Sequence, residues 1–79
     1  MKGLQTMSKV YFTNGAVLEL PNELSLSVLQ ALVGGFIEVA STNKGLCTIV
    51  NEEGLVQALK QNPHFPQYAG NVIVGVDLD

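Results

Sequence analysis

The sequence predicts a single small domain of the α+β class, with the element order β-β-α-β-β-α-β and a mixed sheet on which one helix packs. The chain has 79 residues, of which 47% are hydrophobic and 14% are charged. This composition suits one domain with a packed core and excludes a disordered chain. Runs of β-branched and aromatic residues alternate with turn-forming dipeptides, and one segment carries apolar residues at helical spacing instead.

The first two strands, over residues 9–13 and 16–20, flank an Asn-Gly dipeptide at 14–15. Asn-Gly between two β-rich runs is the strongest short hairpin signal, because a type I′ turn needs positive φ at both central residues. A two-residue loop of this kind places Tyr11 opposite Leu18.

A helix is predicted to follow and to end before residue 34. Pro21 interrupts the second strand, and Ser25 or Ser27 can cap the helix N-terminus. The apolar residues at helical spacing are Leu26, Leu29, Leu32 and Val33. The glycine pair at 34–35 ends the helix, since glycine adopts the left-handed conformation without a Cβ clash.

The second half of the chain is predicted to hold three more strands and a second, shorter helix. The strands cover residues 36–40, 46–50 and 71–78, and the helix covers 54–61. This order resembles a β-grasp (ubiquitin-like) arrangement, in which the last strand inserts beside the first.

Residues 1–6 carry no periodicity, and Met7 is typical of a second start. We therefore expect a mobile extension or an alternative start over 1–6 and a single domain over 7–79. The longest apolar stretch is far short of the ~18 residues that span a bilayer, and no secretory leader is visible. A cytoplasmic protein without a membrane-spanning segment is the expectation.

The charge composition restricts the class of partner. Four lysines and no arginine stand against seven acidic residues, so the formal net charge is −3. Nucleic-acid recognition relies on arginine and on a basic face, and we expect no nucleic-acid partner. An average domain has about 25% charged residues, so this surface is unusually neutral. Such a surface suits contact with a protein partner or with a second copy, which makes a homo-oligomer one expectation.

Cys47 is the single cysteine of the chain and His64 is the single histidine. No intramolecular disulfide can form, and a four-ligand Cys/His zinc site cannot be built within one chain. Because Cys47 lies mid-strand among apolar neighbours, a buried inert thiol is a simpler interpretation than a nucleophile with His64 as its base. The sequence predicts no metal site, no cofactor and no catalytic residue.

Four ordered blocks occur between residues 28 and 76. They are V-G-G-F-I-E at 33–38, V-N-E-E-G at 50–54, Leu59 with Asn62, and G-N-V-I-V at 70–74. In this order they resemble a family of small domains of unknown function, found mostly in phages, plasmids and their bacterial hosts. The chain departs from that pattern at three positions, with Phe36 for tyrosine, Lys60 for proline and Asn71 for aspartate. The resemblance implies a mobile-element setting and no established activity.

Glu38, Glu52 and Glu53 are the acidic residues within these blocks, and three interpretations of them stay open. Glu52 and Glu53 can cap the second helix while Glu38 points outward from its strand. The carboxylates can instead contact a partner, or a pair of them can perform acid–base chemistry. The glycines at 34–35 follow a helix, where the dipole repels phosphate, so they favour a helix cap over an anion site.

The loop over residues 62–68 contains two prolines, His64, Phe65 and Tyr68, and no charge at neutral pH. Aromatic side chains on a proline-stiffened loop suit an interface, because little conformational entropy is lost on contact. In a small domain the same rings can close the core, and both interpretations stay open.

We therefore expect a non-catalytic accessory or interaction protein of phage or mobile-element type. It would bind a host protein or sequester a small-molecule ligand, and inhibition of a host defence system is one version of this role. The expected contact residues are Phe36, Glu38, Glu52, Phe65 and Tyr68. Two alternatives are a structural subunit of a homo-oligomer or assembly, and a small enzyme that uses Glu38 with Glu52 or Glu53 in a cleft.

Overall fold

Five strands and one helix form in the part of the chain that the computed structural model describes, residues 7–21, 23–54 and 56–78. They are β1 (Ser8–Tyr11), β2 (Val17–Leu20), α1 (Leu26–Val33), β3 (Ile37–Asn43), β4 (Leu46–Asn51) and β5 (Val72–Asp77). The α+β class is confirmed. The extension predicted over 1–6 lies outside the described residues.

The five strands form one sheet in the order β2-β1-β5-β4-β3, and every neighbouring pair is antiparallel. The prediction of a mixed sheet is wrong. A parallel pair needs a crossover between neighbouring strands, whereas α1 connects β2 to β3 at the two opposite edges. β5 lies beside β1, but it runs antiparallel to it, and the β-grasp-like arrangement is not confirmed.

The first hairpin has a register one residue away from the predicted one. Tyr11 pairs with Val17, and the loop has three residues, 13–15. Gly15 takes φ 92°, and the Asn14 side chain accepts a hydrogen bond from the Ala16 N–H at 2.9 Å. A three-residue loop that ends in a left-handed glycine is the next most common hairpin connection after the two-residue loop. Relative to β1, a shift of one residue places every β2 side chain on the face opposite to the one that the predicted register gives it.

The second hairpin has the tight turn that was predicted for the first. Lys44 and Gly45 have φ 55° and 81° and form a two-residue loop between β3 and β4. Positive φ at both positions is the signature of a type I′ turn. As a result β3 extends to Asn43, and the register shifts between Val39 and Ser41 at a β-bulge.

Helix α1 begins after the first of its two predicted caps and ends at the predicted glycine. Ser25 is the N-cap and accepts a hydrogen bond from the Val28 N–H at 3.3 Å, and Gly34 ends the helix with φ 81°. Leu29 and Val33 are buried against the sheet. The strand residues of this core are Val10, Cys47, Ile49, Ile73 and Val76. None of the described helices is both long and apolar enough to cross a membrane.

The second helix predicted over 54–61 is not a helix in the described part of that segment, which forms turns. The Gln57 N–H donates to the Glu53 carbonyl at 2.8 Å, and this bond makes a single helical turn. Ala58 then takes φ 56°, a left-handed conformation that stops helix propagation. Short helices are only marginally stable without tertiary packing, and this one does not extend beyond a single turn.

The two faces of the sheet are covered differently. α1 packs on the face that carries Val10 and Ile73, which pair across β1 and β5. Side chains alternate along a strand, so Tyr11 and Val72 lie on the opposite face. The segment 52–70 covers part of that opposite face, where Phe65 packs edge-on against Tyr11 with ring centroids 5.0 Å apart.

Asn71 connects this segment to the helix. Its Nδ2 donates to the Leu32 carbonyl at 2.8 Å, and its Oδ1 accepts from the Thr13 N–H at 3.1 Å. We expect Asn71→Ala to lower the free energy of unfolding by about 1–2 kcal/mol, because two part-buried hydrogen bonds are lost. Urea unfolding followed by circular dichroism measures this change. Asn43→Ala, at an exposed amide, is the control, and equal stability of the two variants would contradict the prediction.

Candidate functional site

A cavity of about 360 Å³ lies on the sheet face opposite the helix, between the β3–β4 pair and the segment 52–69. Its polar lining comes from Glu38, Asn51, Glu52, Glu53, Gln67 and Tyr68. Its apolar lining comes from Ala40, Val50, Val56 and Ala69, with Gly54 at the turn. The cavity therefore combines three carboxylates with apolar side chains, and Val50 lies directly across from Glu38 in the sheet.

Strand alternation brings Glu38 and Glu52 to the same face. Glu38 pairs with Val50 across β3 and β4, and Glu52 follows Val50 by two residues. The ladder continues past β4, since the Glu52 N–H donates to the Phe36 carbonyl at 2.9 Å. Both side chains are exposed to solvent at the cavity rim.

The turn that carries Glu53 is fixed by a buried amide. Asn51 is 5% exposed, and its Oδ1 accepts from the Glu53 N–H at 2.7 Å. Its Nδ2 donates to the Val33 carbonyl at the end of α1, at 3.0 Å. A Cβ atom on Gly35 would lie 3.0 Å from that Nδ2, so the glycine leaves room for the amide. Asn51 thus holds the acidic turn against the helix end.

The predicted capping role of Glu52 and Glu53 is wrong, because the described residues of 54–61 form turns and not the helix that these acids would cap. Glu53 instead accepts a hydrogen bond from the Gln57 side chain at 3.4 Å. Both carboxylates remain exposed and line the cavity. This leaves the contact and acid–base interpretations of these side chains.

The loop brings Tyr68 to the opposite wall of the cavity. The Tyr68 N–H donates to the Phe65 carbonyl at 2.9 Å, and the Tyr68 carbonyl accepts from the Asn62 N–H at 2.9 Å. The Tyr68 ring is half-buried and lies 6.5 Å from the Phe65 ring. Tyr68 therefore lies beside the packed rings of Tyr11 and Phe65 and also lines the cavity.

The other two aromatic residues expected at a contact surface lie outside the cavity lining. Phe65 is half-buried against Tyr11 and closes the core on this face. Phe36 is 66% exposed and precedes β3 at the edge of the sheet. Of the five expected contact residues, the cavity thus unites Glu38, Glu52 and Tyr68.

Asn62 positions the whole loop, and sequence reasoning missed it as an organising residue. It is fully buried, and its Nδ2 donates to the carbonyls of Tyr11 and Gly70 at 2.8 and 3.0 Å. Its Oδ1 accepts from the N–H groups of His64 and Phe65 at 2.9 and 3.2 Å. An Asn-Pro dipeptide is a turn signal, but nothing in the sequence alone reveals the bond to Tyr11.

Cys47 and His64 do not form a nucleophile–base pair. Cys47 is buried in the core beneath α1. His64 lies on the other side of the sheet, where its Nε2 is 2.9 Å from the Gly15 carbonyl and its ring contacts Tyr11. Among the described side chains, no three His, Cys, Asp or Glu residues converge as metal ligands would.

The chemistry of the cavity favours a cationic group. The carboxylates of Glu38, Glu52 and Glu53 accept hydrogen bonds, and no described lysine or histidine lines the cavity with them. An ammonium or guanidinium group supplies both the opposite charge and the donors. The apolar lining residues Val50 and Val56 suit the aliphatic stem that carries such a group.

Comparison with known proteins identifies a family. The family described as Domain of unknown function (DUF3846) matches residues 8–77. No curated protein and no solved structure matches significantly. The matched range includes all five strands, the helix and every residue that lines the acidic cavity. The chain therefore belongs to the DUF3846 family of domains of unknown function.

Proposed function

We propose that this protein is a non-catalytic binding protein whose acidic cavity holds a cationic group of its ligand, either on a partner protein or on a small molecule. The observation that carries the proposal is that Glu38, Glu52 and Glu53 share one cavity with the half-buried Tyr68 ring. A volume of about 360 Å³ is in the range of small-ligand sites. It accommodates a lysine or arginine side chain together with its stem.

The mobile-element setting implied by the sequence blocks fits this role. A small accessory protein of a phage or plasmid acts in the cytoplasm of its host, where it binds a host protein or sequesters a ligand. A defence protein that presents a basic residue is one such target. The net charge of −3 favours encounter with a basic surface over encounter with an acidic one.

Titration with arginine methyl ester, followed by two-dimensional NMR, tests the proposal. We expect chemical-shift changes in the backbone amides of Glu38, Glu52, Gln67 and Tyr68. Citrulline methyl ester is the matched control, because it keeps the α-ammonium group and replaces only the guanidinium, with an uncharged group of nearly the same shape. Equal shifts with both esters would show that the cavity does not recognise the cationic side chain, and this result or shifts scattered over the sheet would contradict the proposal.

We expect the double substitution Glu38→Gln with Glu52→Gln to weaken binding of arginine methyl ester about three- to tenfold. Each exposed ion pair contributes only about 0.2–1 kcal/mol, so two are removed together. Affinity of the unmodified protein should also fall as salt is added, because salt screens exposed charges. Glu19→Gln in β2 makes the same kind of charge change outside the cavity and should leave the affinity unchanged.

A carboxylate-dependent enzyme remains the second candidate, because Glu38 lines the same cavity as Glu52 and Glu53. An acid–base pair needs two carboxylates near one reacting group. In that case a bound ligand would be converted, and one-dimensional NMR of the ligand over several hours would show new signals. A ligand that binds and stays intact supports the binding role.

A structural subunit of a homo-oligomer is favoured by a different observation. Leu26, Phe36 and Val56 are 57%, 66% and 85% exposed, which is high for such apolar side chains. Association of copies would cover them. Light scattering at micromolar concentration distinguishes a monomer from a stable oligomer.

A further inference from the structure

Strand β3 forms one edge of the sheet and borders the acidic cavity. It has seven residues and, within residues 7–21, 23–54 and 56–78, pairs only with β4, since it is the last strand in the order β2-β1-β5-β4-β3. The Phe36 carbonyl accepts a hydrogen bond from the Glu52 N–H, directly after β4, and therefore points toward β4. Because hydrogen-bonded and non-hydrogen-bonded pairs alternate along an antiparallel ladder, the main-chain groups of Ile37 and Val39 point away from β4, toward the open edge.

We propose that β3 accepts an extended segment of a partner protein as an added strand, and that a basic side chain of this segment enters the acidic cavity. The inference rests on the proposed function and names the kind of ligand that the cavity takes. Main-chain hydrogen bonds to an edge strand provide affinity, while pockets for alternate side chains provide specificity. Here the edge and the pocket meet at Glu38, which belongs to both.

The side-chain pattern of the partner segment follows from the faces of β3. Two residues of the added strand form hydrogen-bonded pairs with Ile37 and Val39, so their side chains lie on the helix face. There they meet Val39, which is 44% exposed, and an apolar residue suits that position. The residue between them lies opposite Glu38, with Cβ atoms about 4.5–5.5 Å apart. A lysine or arginine at that position reaches the carboxylates.

Phe36 provides a second contact for a basic side chain of the partner segment. Phe36 precedes Glu38 by two residues, so it shares the cavity face, and the residue is 66% exposed. A second basic residue, two positions from the first, would lie over the Phe36 ring in a cation–π contact. The bulge between Val39 and Ser41 ends the regular edge, so the paired stretch spans residues 36–39. The partner segment therefore alternates apolar and basic residues over four or five positions.

A second copy of the chain is a poor occupant of this edge. Of the described lysines, Lys9 lies within β1, which is paired on both sides, and Lys44 and Lys60 lie outside the strands. A second copy would also add its own acidic cavity and its own net negative charge. Charge complementarity thus favours a basic segment from a different protein.

The opposite edge of the sheet, at β2, lacks this complementarity. β2 has four residues and is followed by Pro21, and its Glu19 pairs across from Lys9. An edge strand that is short and ends at a proline is protected against pairing. β2 therefore provides the matched control for β3.

Fluorescence anisotropy with labelled synthetic peptides tests the inference. The probe alternates valine and lysine over seven residues. In one derivative the valines are N-methylated, which removes the N–H groups that would face β3. In the other derivative the main-chain nitrogens of the lysines are methylated, and the N–H groups removed there would face solvent. We expect the valine-methylated peptide to bind at least about tenfold more weakly than the probe and the lysine-methylated peptide to bind similarly.

Variants of the protein at Val39 test the same contact. Val39→Pro removes one main-chain donor at the edge, and Val39→Lys places a like charge beside the basic peptide. Each should weaken binding of the valine–lysine peptide about tenfold. Val17→Lys in β2 is the control, because Val17 is 46% exposed at the other edge and should not affect binding. Val39→Lys keeps the test decisive if the proline variant does not fold.

The outcomes separate this inference from the proposed function. If Glu38→Gln weakens peptide binding but methylation of the valines does not, the cavity binds a cation without strand addition, and the inference is overturned alone. If neither the peptide nor arginine methyl ester binds at millimolar concentration, both proposals fail. A dimer in light scattering that Val39→Lys dissociates would identify a second copy as the occupant and would also overturn the inference.

Discussion

We expect the Asn62→Ala variant to lose about 3–5 kcal/mol of unfolding free energy, because four hydrogen bonds to a fully buried amide disappear together. Each main-chain group left without its partner in the interior adds a desolvation cost. A 79-residue domain has a total unfolding free energy of about 4–12 kcal/mol. The loss is a large share of this total, so the midpoint of urea unfolding, followed by circular dichroism, should fall steeply in the variant.

Two further variants separate the contributions of Asn62. Asn62→Asp keeps the shape and the acceptor for His64 and Phe65, but it removes the donors to Tyr11 and Gly70. It should be destabilised too, since a carboxylate oxygen then faces two carbonyls. Gln61→Ala removes one exposed hydrogen bond, to the Pro66 carbonyl, and should cost no more than about 1 kcal/mol. Similar stability of Asn62→Ala and Gln61→Ala would show that the loop does not depend on the buried amide.

Local signals predicted the parts of the fold that depend on local interactions. The capping serine and the terminal glycine of α1 act within a few residues of the helix. Ser25 was one of the two predicted caps, and the predicted glycine stop was correct. The existence of the five strands likewise follows from β-rich runs and the turns between them. What local patterns did not determine was strand direction, which depends on where β5 inserts between β1 and β4.

The register of the first hairpin was mispredicted because the Asn-Gly dipeptide is compatible with two types of turn. Asn-Gly favours a type I′ turn, but glycine serves equally as the left-handed last residue of a three-residue loop. The longer loop is accompanied by a hydrogen bond from the Thr13 N–H to the Asn71 side chain, which is 58 residues away. A contact at this sequence separation is not visible in a hairpin motif.

The candidate site was only partly predictable for the same reason. Glu38 and Glu52 are brought together by a hairpin register, which strand alternation can follow. Tyr68 reaches the cavity because Asn62 holds its loop to the Tyr11 carbonyl, 51 residues away along the chain. Phe65 resembles Tyr68 in sequence context but packs on Tyr11 instead. Which aromatic residue enters the core is therefore determined by tertiary contacts.

Gly54→Ala is expected to cost about 2–4 kcal/mol of unfolding free energy, because a Cβ atom at this position would lie 2.6 Å from the Ala69 carbonyl oxygen. That oxygen belongs to the main chain and cannot rotate away. Ala69 is buried and bridges to Gln61, and the next residue, Gly70, donates to the Lys60 carbonyl at 2.7 Å. Relief of the clash would move the loop that carries Tyr68, so binding in the cavity should weaken as well.

The controls for Gly54→Ala distinguish a clash from a loss of backbone freedom. Gly54 is not among the glycines with positive φ, so alanine accepts its conformation. Gly45→Ala has the opposite problem, with φ 81° but no atom within 4 Å of the new Cβ, and should cost about 1 kcal/mol. Ala69→Gly should not rescue Gly54→Ala, because the clashing oxygen remains. Thermal unfolding of the three single variants and of the Gly54→Ala/Ala69→Gly double variant measures these differences. A rescued double variant would mean that the Ala69 methyl group, rather than its carbonyl, limits the space.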